Sequence, residues 1–120
     1  MGFAIVAAGI QLERPDWVAR GARVAKRSLA RPVDTYVQAY STTITHGSAG
    51  LAAIYGRLGH VTGASAYREG ARRWLDRLLD AGEDPASGTL VGGALGEALV
   101  LMTALHGVEP TWDACLGLTL

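Results

Sequence analysis

The fold is decided by residues 44–55, ITHGSAGLAAIY, in which small and apolar residues follow a histidine. This composition predicts an apolar helix that begins just after His46. A second stretch of the same kind, GGALG at residues 92–96, matches HGSAG at residues 46–50 with an offset of 46 residues. Small residues at a helix start let two backbones approach closely, although each glycine costs about 1 kcal/mol of helix stability relative to alanine. The two stretches therefore predict a crowded centre or a site.

These stretches belong to a repeat that runs through the whole chain. Each of three segments begins with a glycine, continues through apolar or small residues, breaks at a turn with Gly or Pro, and restarts at an aromatic residue. The starting glycines are Gly2, Gly50 and Gly96, spaced by 48 and 46 residues, and the aromatic residues are Trp17, Tyr67 and Trp112. A period of this length, without the alternation typical of strands, predicts a helix–turn–helix unit repeated three times.

The two helices of each unit differ in polarity. The first is apolar nearly all round, which predicts burial on several sides, and the second carries apolar residues on one face only. That face consists of Trp17, Gly21, Val24, Ala25 and Leu29 in the first unit, and of Tyr67, Ala71, Trp74, Leu75 and Leu78 in the second. We therefore predict an all-α fold in which residues 1–120 form one domain of three helical hairpins, each with an inner and an outer helix.

Composition argues against several classes of protein. The net charge is zero, whereas a general nucleic-acid binder needs a basic surface to replace counterions on phosphates. All 11 Lys and Arg lie between Arg14 and Arg77, and residues 78–120 carry six acids and no base. The apolar run at the N-terminus is too short to span a bilayer and lacks the basic start of a signal peptide. We expect a cytoplasmic protein with no membrane partner, and the single Cys115, which excludes an internal disulfide, agrees with a reducing compartment.

At residues 45–79 and 89–118 the sequence resembles the C-terminal part of the lanthionine synthetase C family, which includes the cyclase domains of larger lanthipeptide synthetases. The most specific elements are the elbow His-Gly-Ser-Ala-Gly (46–50) and the closing Glu-Pro-Thr-Trp-Asp (109–113). The resemblance implies an α/α toroid of seven hairpins, of which this chain supplies three and lacks the N-terminal ones. It also implies a function in lanthipeptide biosynthesis, where a zinc-dependent enzyme adds a peptide cysteine to a dehydrated Ser or Thr and so closes a thioether ring.

The resemblance further implies where a zinc site would lie. The family holds zinc through a cysteine of a Trp-Cys-Tyr-Gly elbow and through the adjacent Cys and His of a Cys-His-Gly elbow. In this chain the second elbow is Thr45-His46-Gly47, so His46 matches a ligand, and Thr45, at the cysteine position, is not expected to bind. The first elbow would lie before Gly2 and has no counterpart. Catalytic zinc needs three protein ligands and stabilises the attacking thiolate, so we expect neither bound zinc nor activity in this chain alone.

The candidate residues also have purely structural interpretations. His46 could be a remnant zinc ligand or a residue that makes an ordinary hydrogen bond near a helix start. His60 and His106 lie where inner helices end, a position at which a cation interacts favourably with the helix dipole. Cys115 is expected to be a small buried residue in the third outer helix, and the three repeated aromatic residues are expected to be packing residues. A basic face of the outer helices could bind an acidic leader peptide, or it could simply be exposed to solvent. It comprises Arg20, Arg23, Lys26, Arg27, Arg68, Arg72, Arg73 and Arg77.

Two functions therefore remain open, and the sequence assigns a catalytic residue to neither. The first is the lanthionine synthetase C-like function, and the second is a non-catalytic α-hairpin scaffold that binds a peptide or a partner subunit. Another α/α toroid, such as a glycosidase or prenyl-transfer relative, lacks support because glycosidases use paired carboxylates and Glu97 is the only acid on an inner helix. Three hairpins of a ring would expose inner-helix surface at both edges. We therefore predict an oligomer or a docked partner chain, with a precursor peptide as a further partner.

Overall fold

The described residues form five α-helices, which lie where the apolar periodicity predicts them. A computed structural model describes residues 1–32, 41–81, 88–107 and 110–118. Its elements are α1 (Gly2–Gln11), α2 (Pro15–Leu29), α3 (Ser48–Thr62), α4 (Ser65–Ala81), α5 (Ala94–His106) and a short 3-10 helix (Trp112–Leu116). These residues contain no strand, which confirms the all-helical prediction. Within the same ranges, no helix has both the length and the apolar character that a membrane span requires.

The first hairpin, α1 with α2, is packed closely because glycines line the contact between its helices. A Cβ atom on Gly21 would lie 2.7 Å from the Gly2 carbonyl oxygen, and one on Gly9 would lie 2.7 Å from the Val18 nitrogen. Both distances are far below van der Waals contact, so neither position accepts a side chain without separating the helices. Glycines therefore permit close packing inside this hairpin, and not only at the starts of inner helices.

Tyr67 joins the first hairpin to the second. Helix α3 packs against α4 and α5, while α2 contacts α4. The Tyr67 hydroxyl donates to the Ala22 carbonyl at 2.6 Å, and Arg73 Nη2 donates to the Leu29 carbonyl at 3.2 Å. The Tyr67 ring also stacks on Tyr55 of α3, with centroids 6.4 Å apart. Helix α3 is thus the central element, and the outer helices are connected through side chains of α4.

The buried core contains most of the predicted apolar faces. It consists of Phe3, Val6, Ala25, Leu29, Ile44, Ala49, Ala52, Tyr55, Leu58, Tyr67, Ala71, Trp74, Leu78 and Val100. On α4 the predicted face is buried except for Leu75, which is half-buried and packs against the core. The amphipathic interpretation of α4 is therefore confirmed.

Trp17 departs from the predicted face of α2, since its side chain is 38% exposed. Val18, the next residue, is the one that packs against Gly9 of α1. The Arg14 guanidinium lies 5.3 Å from the centroid of the Trp17 ring and also binds the Asp16 carboxylate at 2.9 Å. This guanidinium lowers the pKa of the Asp16 carboxyl. Trp17 is therefore a surface aromatic residue covered by a cation, and the prediction that it packs in the core is wrong.

The third unit also differs from the prediction. Helix α5 is followed by the 3-10 helix, and the chain described up to residue 118 contains no third outer helix. The 3-10 helix ends at Gly117, which has a φ of 69°, and the Trp112 Nε1–H group donates to Thr103 Oγ1 of α5 at 3.1 Å. The segment folds back onto α5 instead of extending along it. Large apolar residues of α5 that remain exposed are Leu95, Met102 and Leu105.

Candidate functional site

The segment before α3 closes the first turn of that helix. The Ser48 N–H group donates to the Ser41 carbonyl at 2.9 Å, and the Ala49 N–H group donates to the Thr42 carbonyl at 3.2 Å. The first N–H groups of a helix have no partner inside the helix, so bonds of this kind remove an energetic cost. These donors of α3 are therefore used by the chain itself.

The starts of α3 and α5 are built alike. A Cβ atom on Gly50 would collide with the Ile44 carbonyl oxygen, and one on Gly96 would collide with the Leu90 carbonyl oxygen, at the same separation in sequence. This geometry confirms that the two small-residue stretches are structurally equivalent. The two helix starts also touch, because Ile44 Cγ2 would lie 3.0 Å from a Cβ atom on Gly96. Glycine is required at both positions by the close approach of a backbone carbonyl.

Thr45 and His46 lie between these helix starts and are both exposed. The Thr45 hydroxyl donates to the Val91 carbonyl at 2.9 Å, and its oxygen lies 3.0 Å from His46 Nδ1. Because the single hydroxyl proton is directed to Val91, the hydroxyl oxygen accepts from the imidazole, which places the proton of neutral His46 on Nδ1. The His46 N–H group of the backbone is 3.4 Å from Thr43 Oγ1. His46 thus makes the ordinary hydrogen bonds of a residue near a helix start.

The residues around His46 do not fit a zinc ion. A catalytic zinc site has three protein ligands drawn from Cys, His, Asp and Glu. Among the residues that the structure describes, no three such side chains lie together. Thr45 presents a neutral hydroxyl whose proton is already donated, and Cys115 lies in the 3-10 helix, where its thiol donates to the Trp112 carbonyl at 2.9 Å. Cys115 is exposed, so the prediction that it is buried in an outer helix is wrong.

Two polar atoms near the starts of the inner helices are buried and have no hydrogen-bond partner among the described residues, Ser48 Oγ on α3 and Glu97 Oε1 on α5. Ser48 is 2% exposed and Glu97 is 8% exposed. Buried polar side chains are normally paired, so these two are exceptions. Glu97 is the acid that the sequence places on an inner helix, and the described parts of α1, α3 and α5 contain no second carboxylate to form a glycosidase pair with it.

A buried ion pair in the described chain is one that we did not predict from the sequence. Arg57 of α3 and Asp113 of the 3-10 helix form a bidentate ion pair, with Nε to Oδ2 at 2.9 Å and Nη2 to Oδ1 at 3.0 Å. Arg57 Nη2 also donates to the Pro110 carbonyl at 2.7 Å. The two side chains are only 5% and 1% exposed. The available signal was a basic residue inside the apolar α3 sequence, since a buried charge requires a partner.

The other candidate residues lie away from His46. His60 and His106 are exposed in the last turns of α3 and α5, as predicted. His60 lies about 18 Å along α3 from the first residue of that helix, given a rise of about 1.5 Å per residue. The basic face is solvent-exposed except for Arg77, which is half-buried. Part of it has a structural function, because Arg68 Nη1 donates to the Gly63 carbonyl at 3.1 Å, where α3 ends.

The site is therefore a pair of contacting helix starts with one exposed imidazole and two buried polar atoms that have no partner among the described residues. It includes the elbow at 46–50, one of the two sequence elements that we compared with the lanthionine synthetase C family. The chain matches no family model, no curated protein and no solved structure.

Proposed function

We propose that this chain is a lanthionine synthetase C-like protein of lanthipeptide biosynthesis, located in the cytoplasm, and that it does not close thioether rings by itself. Its hairpins would form part of an α/α toroid, with the starts of the inner helices facing the centre. The interlocked starts of α3 and α5 support this proposal, because equivalent glycines, Gly50 and Gly96, each receive a backbone carbonyl. In the family, zinc activates the thiol that adds to the dehydrated residue. Among the residues that the structure describes, no donor set for that ion lies together.

The observation that carries the proposal is the hydrogen bond from the Thr45 hydroxyl to the Val91 carbonyl. It gives the residue at the family's cysteine position a structural function, which is to hold the starts of α3 and α5 together. A hydroxyl proton committed to a carbonyl leaves a neutral oxygen, and such an oxygen is a poor ligand for zinc compared with thiolate. His46 alone is then insufficient for a stable site.

The test combines metal analysis with an assay for the family reaction. We expect the purified chain, after dialysis against a buffer that contains zinc, to hold much less than one zinc ion per chain. The native chain and the His46→Ala variant should hold equal amounts. Incubation with a dehydrated, cysteine-containing peptide should leave its thiol count unchanged in mass spectrometry after alkylation. If the native chain holds one zinc ion and the His46→Ala variant holds none, the proposal that the chain has no zinc site is wrong. If the peptide thiol is consumed, the proposal that the chain is inactive by itself is wrong.

A second candidate function is a scaffold that binds a peptide or a partner subunit. The exposed apolar side chains of α5 favour it, since several large apolar side chains exposed on one helix suit an interaction site. The exposed basic residues of α2 suit an acidic leader segment of a precursor peptide. Titration of an acidic peptide at low and high salt tests this candidate, because binding through that face should weaken as salt rises.

A further inference from the structure

A cavity lies at the end of the inner helices that is remote from His46. It is a partly open cavity with a volume of about 440 Å³, bounded by α3, α4, α5 and the segment 110–113. Its lining includes Ala53 and Gly56 of α3, Leu75 of α4, Val100 and Ala104 of α5, and Trp112. This volume is within the range of about 300–1,000 Å³ typical of ligand pockets. Gly56 lies about 12 Å along α3 from its first residue, so the cavity is separate from the helix starts around His46.

Apart from Arg68 and His60, which lie at the rim, the polar side chains that line the cavity are already paired. Arg57 and Asp113 bind each other. The Trp112 indole donates to Thr103 Oγ1 at 3.1 Å, and the Thr103 hydroxyl donates to the Leu99 carbonyl at 2.8 Å. A charged group placed among these paired residues would have to break one of these bonds to gain a partner. The wall therefore favours an uncharged, apolar group.

Gly56 shows that the cavity is accessible from α3. A Cβ atom on Gly56 would meet no atom within 4 Å, whereas one on Gly59, in the same helix, would lie 2.8 Å from Arg68 Cγ. The half-buried position of Gly56 thus borders open space. The small side chains around it leave room for an aliphatic or aromatic group.

Hydrogen-bond donors stand at the rim of this apolar space. Arg68 and His60 line the cavity and are both exposed. Arg68 uses Nη1 for the Gly59 and Gly63 carbonyls, at 3.5 and 3.1 Å, and within the described chain its Nε and Nη2 atoms make no hydrogen bond. Donors around an apolar pocket suit the carbonyl oxygens on either side of a side chain in a peptide. A free apolar molecule has no oxygen that could accept a hydrogen bond from these donors.

We propose that this cavity binds an uncharged apolar side chain of a peptide, with the flanking peptide carbonyls accepting from Arg68 and His60. The proposal rests on the scaffold function and gives it a site. It is independent of zinc, because the metal test examines the opposite end of α3.

The experiment is a titration followed by amide NMR of the full chain. The probes are three: the blocked tripeptide Gly-Leu-Gly, the blocked tripeptide Gly-Ser-Gly, and toluene as a free apolar molecule. We expect the leucine peptide to shift the Gly56 amide and the Trp112 indole signals, and the serine peptide to leave them unchanged. Toluene binding without peptide binding would overturn the proposal of a peptide ligand. The absence of any shift with the leucine peptide would overturn it as well.

Matched variants locate the binding. Gly56→Leu fills the cavity, whereas Gly56→Ala adds one carbon and leaves most of the space, so we expect at least about a tenfold loss of affinity in the first and little change in the second. Arg68→Gln should weaken peptide binding without affecting toluene, and Arg23→Gln on α2 serves as its control. If Gly56→Leu does not fold, Ala104→Leu fills the same space from α5. Unchanged binding in the folded filled variant would place the peptide elsewhere and overturn the cavity site, while the scaffold function would survive.

Discussion

The hydroxyl of Thr45 donates to the carbonyl of Val91 at 2.9 Å, and the two residues occupy equivalent positions of the repeat. This bond connects the start of α3 to the start of α5, beside the contact between Ile44 and Gly96. Two segments that are far apart in sequence are thus held as one unit. His46 lies on this unit, and its Nδ1 atom is 3.0 Å from the oxygen of the same hydroxyl.

Removal of the Thr45 hydroxyl should loosen this unit. We expect Thr45→Val, which keeps the shape, to lower the free energy of unfolding by about 0.5–1.5 kcal/mol, since one hydrogen bond is lost. Urea unfolding followed by circular dichroism measures the difference. Thr111→Val, an exposed substitution beside the 3-10 helix, is the control and should have little effect. Equal stability of the two variants would show that the bond does not hold the two helix starts together.

Two glycine substitutions should act in opposite directions. Gly96→Ala places a methyl group against the Leu90 carbonyl and the Ile44 side chain, and we expect it to cost about 1–3 kcal/mol. Gly56→Ala enters open space in a helix interior and should stabilise the fold by about 1 kcal/mol. Thermal unfolding of the two variants compares them directly. A stabilising Gly96→Ala would contradict the close approach of the Leu90 carbonyl at the start of α5.

The ion pair between Arg57 and Asp113 should be costly to break from one side. Asp113→Ala leaves a buried guanidinium without its carboxylate, and we expect a loss of about 3–5 kcal/mol. Because small domains have only about 5–15 kcal/mol of stability, this variant needs measurement at low temperature. The double variant Arg57→Met with Asp113→Leu should be more stable than Asp113→Ala, since no unpaired charge remains buried. A double variant that is less stable than Asp113→Ala would mean that the attraction within the Arg57–Asp113 pair contributes more to stability than the loss of the carboxylate beside Arg57 costs.

Alkaline pH should destabilise the protein through Tyr67. Burial raises the pKa of the Tyr67 phenol, so the folded state binds the phenolic proton more tightly than the unfolded state. The associated stability is complete below the unfolded pKa of about 10 and is lost as pH rises above it. In Tyr67→Phe this pH dependence should disappear, and the lost bond to Ala22 should cost about 1 kcal/mol at neutral pH. Urea unfolding between pH 8 and pH 11 in both proteins provides the test, and parallel curves would contradict it.

The exposed face of α5 should promote association. Met102 is 55% exposed and Leu105 is 81% exposed, and we expect the chain to form an oligomer through this surface. Leu105→Glu should shift the equilibrium toward monomer, whereas Ala19→Glu on the exposed side of α2 should not. Light scattering after size exclusion measures the mass at several concentrations. A monomeric native chain at every concentration would refute the expectation.

The all-helical fold and the equivalence of the two small-residue stretches were predictable from the sequence. Both depend on local or repeated patterns: the apolar period places α1 to α5, and glycine recurs wherever a carbonyl approaches, as at Gly50 and Gly96. The amphipathic face of α4 was predictable for the same reason. Such features arise from neighbours in sequence, so they are visible without knowledge of the tertiary contacts.

Only the tertiary structure decided the features that depend on distant partners. Trp17 lies in the first turn of an amphipathic helix. The end of α1 nevertheless packs against the neighbouring Val18, and the Trp17 indole stays at the surface beneath the Arg14 guanidinium. The carboxylate of Asp113 finds its partner on α3, and that ion pair holds the 3-10 helix where the repeat predicts an outer helix. Sequence by itself determined which segments are helical and which faces are apolar, because these follow from local periodicity. Which faces are covered, which charges are buried together, and where a cavity remains follow from the packing of segments that no local pattern connects.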